Sequence, residues 1–222
     1  TGDFTLEAWM NNNGSGNEAI FAHFTSGTDK WYFIADYGNG SIAIYDRVSG
    51  LDAESKRGGS NGASLTNGAW HHVAAVRSSG VVKFYIDGKG QDNQVTPTLP
   101  AANFGKTATC YIGEDGQGSD YWKGYFGPLR ISNSARYTAD FDVPTTVWTN
   151  DGNTKLLIQN GTDGSQTFTD SSSSSHSITV NGDARWFAPK VGAGAMAFDG
   201  TGDYFKYGTD VVDFEFGAGD FT

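Results

Sequence analysis

The 222-residue chain carries 25 acidic against 15 basic residues, a formal charge of −10 at a sequence pI near 4.6, and such a field repels nucleic acid, whose phosphates need clustered Lys and Arg. No run of apolar residues reaches the about 18 that a membrane-spanning helix needs, and the single cysteine, Cys110, rules out an internal disulfide. What remains, 31 Gly against 5 Pro with 14% aromatics, favours packed strands joined by glycine turns, in a length that one large β-sandwich fills.

Twenty of the acidic residues are Asp and only five are Glu; Asp suits turns and oxygen-ligand loops, whereas Glu suits helices. In chain order, Phe4 to Met10 alternates with Phe4, Leu6, Ala8 and Met10 on one face, the signature of a half-buried strand. Ile20 to Phe24 and Trp31 to Ala35 follow, and Asn39-Gly40 turns the chain into Ile42 to Tyr45. The polar, Gly- and Ser-rich stretch from Ser49 to Thr66 reads as a long exposed loop or weakly paired edge. Trp70 to Arg77, a Ser-Ser-Gly turn and Val81 to Ile86 form a hairpin that ends at Asp87-Gly88. Within the next strand, Ala108 to Ile112, Cys110 reads as a small buried hydrophobe. Pro128, inside Gly124 to Ser132, predicts a bulge or an edge.

After Thr149-Asn150-Asp151-Gly152 the pattern starts again, with a strand at Lys155 to Ile158, a flexible loop at Ser171 to Ser175, and strands at Ser177 to Val180, Ala195 to Phe198 and Tyr204 to Tyr207. Gly2-Asp3-Phe4-Thr5 returns as Gly219-Asp220-Phe221-Thr222, so the two ends read as one structural position in successive copies, a slice of a tandem array or a permuted unit.

Here a family resemblance enters. The order Phe198-Asp199-Gly200-Thr201-Gly202-Asp203-Tyr204, then Gly219 to Thr222, resembles the first third of laminin-G-like, concanavalin A-like jelly rolls. Phe4 to Met10, Trp70 to Arg77, Lys83 to Gly88, Ile112-Gly113, Gly124 to Ser132 and Ala135-Arg136-Tyr137-Thr138 resemble the remaining two-thirds. The resemblance implies an all-β, two-sheet antiparallel jelly-roll sandwich in permuted order. Residues 1–150 would be its C-terminal two-thirds and 151–222 its N-terminal third, completing either the same sandwich or that of a neighbouring repeat or subunit. Arg130-Ile131-Ser132, Ala135 to Thr138 and Pro144-Thr145-Thr146 are similar to modules, often in tandem, of phage and marine-bacterial surface proteins, which implies an extracellular, cell-surface or virion setting.

The chemistry in the sequence is that of recognition. Glycosidases on this fold flank one bond with two carboxylates on a strand face, and no Glu-x-Asp-x-Glu run exists here; Glu114 and Asp115 are adjacent and point oppositely on a strand. His71 and His72 also face opposite sides, so they cannot share one metal, and the pair reads as one packed and one exposed histidine. Calcium is the cofactor expectation, with Asp199, Asp203, Asp115 and Asp120 in glycine-rich turns as oxygen ligands; the alternative role for the same residues is turn capping. The resemblance adds one departure: relatives carry an acidic pair where this chain has Gly127-Pro128. For sugar, exposed aromatic faces would stack on pyranose rings, and Tyr121, Trp122, Trp31 and Tyr32 are the candidates, while Trp9 and Trp70 read as core. The expectation is a non-catalytic adhesion or carbohydrate-binding module of a surface or virion fibre protein, with a glycan or cell-surface ligand as partner. Two alternatives are a filament subunit that joins copies of itself by strand complementation and, against the missing carboxylate pair, a glycoside hydrolase.

Overall fold

A computed structural model describes residues 2–26, 29–36, 40–47, 55–59, 65–91, 108–187 and 194–207. The closing Gly219 to Thr222 and most of the polar stretch from Ser49 to Thr66 lie outside the described residues. Among those described the chain has fifteen strands and no helix: β1 (Phe4–Asn12), β2 (Asn17–Ser26), β3 (Asp29–Asp36), β4 (Ser41–Arg47), β5 (Ser55–Gly59), β6 (Trp70–Ser78), β7 (Val81–Ile86), β8 (Lys89–Gln91), β9 (Thr109–Ile112), β10 (Lys123–Ser132), β11 (Thr154–Ile158), β12 (Ile178–Asn181), β13 (Arg185–Phe187), β14 (Ala195–Asp199) and β15 (Tyr204–Tyr207).

They form two antiparallel sheets. The first runs β13-β14-β10-β1-β6-β7-β8, with β11 also on β10, and the second runs β12-β15-β9-β2-β3-β4-β5. One edge of β10 is shared: β14 takes Lys123 to Phe126 and β11 takes Leu129 to Ser132. The last third of the chain therefore feeds both layers, β11, β13 and β14 into the first and β12 and β15 into the second, and it pairs there with β10 and β9 of the same chain.

Between the sheets lies the apolar core. Phe4, Leu6, Ala8 and Met10 supply it from β1, as their alternation requires, against Phe21 and Phe33 of the second sheet and Phe198, Phe205 and Trp186 from the last third. Pro128 sits in a bulge: Ala8 pairs with Leu129 and Met10 with Phe126, so Gly127 and Pro128 together oppose Trp9. The extra residue lets both Phe126 and Leu129 point inward. Cys110 is buried in the same core, and burial pushes its thiol up to about 12, so it is inert.

The outer face of the first sheet carries a second apolar layer. Residues 133–150 cross it without regular structure and bring Tyr137 and Phe141 onto Ala74, Val76 and Tyr85, and Val143 and Trp148 onto Trp9 and Leu157. Trp9 and Trp70 belong to this layer and not to the inter-sheet core, and Trp70 stays half-exposed. Beneath it Glu7 is wholly buried, accepting from Arg130 Nε at 2.6 Å and the Tyr137 hydroxyl at 2.8 Å, with His72 Nε2 at 3.2 Å. Arg130 also stacks over Trp148 at 4.7 Å. His71 and His72 do face opposite sides, but both are buried, His71 against Asp87 at 2.7 Å, which corrects the expectation of one exposed histidine.

The serine run lies in a loop without regular structure, and Asp170 anchors it. Asp170 Oδ1 accepts the Leu157 and Ser172 amides, and its Oδ2 accepts the Ser172 hydroxyl and the His176 amide. Ser172 is buried as a result. Among the described residues no helix is long and apolar enough to cross a membrane.

Candidate functional site

Strand pairing sets one side chain from each of six adjacent strands in a row across the outer face of the second sheet: Tyr45, Tyr32, Ala22, Tyr111, Lys206 and Thr179. Alternation puts them there, because their neighbours Phe21, Phe33, Ile44, Ile112 and Phe205 fill the core. Toward β15 the row widens into a patch of three half-exposed rings. Tyr204, two residues before Lys206 on the same face, lies 5.7 Å from Tyr111 and 6.5 Å from Tyr121 between ring centroids, and the Lys206 ammonium stands 5.5 Å over Tyr111.

The loop that presents Tyr121 is built by the two adjacent acids. Asp115 Oδ1 accepts the Gln117 and Ser119 amides and Oδ2 accepts the Gln117 side-chain amide and the Ser119 hydroxyl. Those bonds outweigh burial and hold Asp115 below the usual carboxylate range. Glu114, buried and beside Asp115, is pushed up to about 7, although it accepts the Gly118 amide at 2.5 Å. Burial and then the Glu114 charge raise the hydroxyls of Tyr111 and Tyr121 above their ordinary value.

A different site lies on the outer face of the first sheet, at the edge made by β13 and β14. A cleft of about 290 Å³ is lined there by Lys123, Tyr125, Asp183, Arg185, Phe187 and Asp199, among others. Arg185, Ala197, Tyr125, Asn11 and Trp70 pair across five strands in one row, so a small alanine forms the floor between larger neighbours. Phe187 is 46% exposed and lies 5.7 Å from Tyr125. At one end Asp183, Asp199 and Asp203 bring carboxylate oxygens within 4.8 Å of one another. Asp203 is the buried member and binds two turns together, Oδ1 accepting the Asp183 amide at 2.7 Å and Oδ2 the Asp199 amide at 2.8 Å. Burial raises its pKa, and the charges of Asp199 and Asp183 add to that, against the pull of the two amides.

The predicted residues therefore scatter. Asp199 and Asp203 come together, joined by Asp183, which sequence reasoning missed because it lies 16 residues before Asp199 in the chain. Asp115 and Asp120 are not in that trio: Asp115 spends its oxygens on its own loop, and Asp120 turns the chain with a φ of 49° and gives its carbonyl to the Ala19 amide. Among the aromatic candidates only Tyr121 offers a half-exposed ring. Trp122 is fully buried, its ring stacked on Phe126 at 4.3 Å, so it is core and not a ligand platform. Trp31 faces inward and stacks on His23, and Tyr32, although on the outer face, is 5% exposed against Tyr45. Missed altogether were Tyr111, Tyr204, Tyr125, Phe187, Arg185 and Lys123. Period-two alternation marks the outward position of Tyr111 and Tyr204 beside Cys110, Ile112 and Phe205, and was the available signal.

Fold and faces together define a two-sheet jelly-roll sandwich that presents aromatic and polar side chains from both outer surfaces. The family model described as the concanavalin A-like lectin/glucanases superfamily, laminin-G type, matches residues 1–141, and the chain belongs to that family. No curated protein sequence matches it. Among solved structures it is similar to domain 4 of AbnA, an extracellular arabinanase of family GH43 from Geobacillus stearothermophilus, in complex with arabinotriose (17% identity, 60% of this chain and 62% of that one, TM-score 0.48). It is also similar to a heptameric pentraxin from Limulus polyphemus (16% identity, 61% of this chain and 65% of that one, TM-score 0.41). A sialidase carbohydrate-binding module from Ruminococcus gnavus bound to sialyllactose is more distant (9% identity, 55% of this chain and 70% of that one, TM-score 0.40). The chain thus spans a little under two thirds of the first two.

Proposed function

We propose that this domain is a non-catalytic carbohydrate-binding module that holds a glycan on the outer face of its second sheet, at Tyr111, Tyr121 and Tyr204. The observation that carries the reading is the contiguous patch of three half-exposed tyrosine rings with Lys206 at its margin. Flat aromatic faces shed water onto the C–H faces of pyranose rings, while hydroxyls and an ammonium at the rim bond the sugar's own hydroxyls. A binding role without turnover is supported by the state of the described glutamates. Glu7, Glu18 and Glu114 are all buried and occupied, Glu7 by Arg130, Glu18 by the Asn12 side chain and the Lys123 amide, and Glu114 by the Gly118 amide. A surface or virion adhesin outside the cell is the setting this role fits.

A glycan array probed with the whole chain tests the proposal. Binding to a defined glycan set is expected, weakened about tenfold, or roughly 1.4 kcal/mol, by Tyr204→Ala. Flat responses across the array would defeat it. We also propose calcium at Asp183, Asp199 and Asp203, because three carboxylates drawn together at the end of one cleft lack a full counter-charge. Binding to the folded form alone raises stability by mass action. The melting temperature in millimolar calcium should therefore exceed that in EDTA, and identical curves would remove the cation.

A further inference from the structure

We infer that the cleft on the outer face of the first sheet is a second, separate saccharide site that takes one neutral pyranose residue, so that a single domain grips glycan from two opposite faces. The inference goes beyond the tyrosine-face reading and stands without it.

Three observations carry it. The first is Phe187: an apolar ring 46% exposed on the edge strand β13, 5.7 Å from Tyr125, lies outside the core and lines the cleft. The second is size. Ala197 pairs with Arg185 on one side and Tyr125 on the other, and the small side chain leaves a depression of about 290 Å³ between them. Ligand pockets run from about 300 Å³ upward, so the space suits one sugar ring and not a chain.

The third observation is the polar rim. Asp199 directs Oδ1 to the Thr201 amide and Asp183 directs Oδ2 to Arg185, which leaves each an oxygen to accept a hydroxyl. Lys123, paired across from Asp199 in the sheet, and Arg185 line the same cleft as donors. Acceptors and donors that converge beside an apolar wall match the hydroxyl rim and C–H face of a pyranose. A sugar bearing its own carboxylate is disfavoured, since it would meet three aspartates whose oxygens already lie within 4.8 Å of one another.

The two sites are linked but not merged. Asp199 ends β14 in the first sheet and Tyr204 opens β15 in the second, so the short turn between them joins one face to the other. Two independent sites on opposite faces allow one domain to bridge two glycan chains and to gain avidity on a dense glycan surface.

Amide chemical-shift mapping of the whole chain with the methyl pyranosides of glucose, galactose and mannose is the test. At least one glycoside is expected to shift the amides of Lys123, Asp183, Arg185 and Thr201, and Phe187→Ala or Asp199→Asn to weaken that response at least tenfold, whereas Tyr204→Ala leaves it intact. Persistence in EDTA supports direct contact with the aspartates, and loss restored by calcium supports contact through a cation held by them. No shift at these amides with any of the three, or a response unchanged in Phe187→Ala, overturns the inference. Shifts confined to Tyr111 and Tyr204 remove the second site and keep the tyrosine face; shifts confined to the cleft do the reverse.

Discussion

Glu7 shows how a charge can be held without water. It is fully buried, and burial alone would push its pKa up, yet His72 and Arg130 hold it below the ordinary value of 4.5. Breaking such a buried pair leaves an uncompensated charge and costs about 3–5 kcal/mol, so Glu7→Gln, which strands Arg130, should shift urea unfolding by that order. Because the folded pKa is the lower one, the stabilisation is complete above about 4.5 and is lost as pH falls through the folded value. The wild-type chain should therefore lose stability below pH 4.5 more steeply than Glu7→Gln, and parallel acid profiles would contradict the assignment. None of this network was legible from the sequence. Glu7, Arg130, His72 and Tyr137 are spread over 131 positions; strand pairing brings Arg130 and His72 beside Glu7, and the segment 133–150 that crosses the sheet brings Tyr137. The aromatic candidates failed for a related reason. Tyr121 and Trp122 are neighbours in the chain, and which one faces solvent depends on how the loop enters β10, where Trp122 stacks on Phe126.

At the scale of elements, what repeats was legible and what merely lies across a sheet was not. Alternation in Phe4 to Met10 placed the inward face of β1, and Pro128 marked the bulge opposite Trp9. Residues 133–150 have no period to read, since their contacts with the sheet are isolated ones: Trp9 Nε1 of β1 donates to the Pro144 carbonyl at 3.1 Å, and the Phe141 amide to the Gly88 carbonyl at 2.9 Å. Gly88 is required at that crossing. Its φ is +75° and a Cβ there would lie 2.0 Å from the Phe141 carbonyl oxygen. Gly88→Ala should destabilise by more than about 1 kcal/mol and expose the Phe141 amide to exchange. Unchanged stability and protection would mean that the segment is not anchored there.

Across the whole molecule, the resemblance to a jelly roll foretold two sheets and an all-β chain, because several motifs of that family stand in this sequence at recognisable intervals. The sites were less visible. Lys123 and Tyr125 come from β10, Asp183 and Arg185 from the turn and strand 60 residues later, Asp199 from the end of β14 and Asp203 from the turn after it. Their meeting follows from β14 pairing with β10, a long-range contact that local patterns do not encode. The strand order puts β10, β13 and β14 in one sheet and β9 and β15 in the other, so the two candidate faces lie on opposite sides of the sandwich. The most direct test of the central claim is electrophoresis of the native chain through gels that contain soluble polysaccharides. Retardation in at least one gel is predicted for the wild type, and clearly weaker retardation in the double variant Tyr111→Ala with Tyr204→Ala, at an unchanged melting temperature. Equal migration of both proteins in every polysaccharide would contradict a glycan-binding tyrosine face.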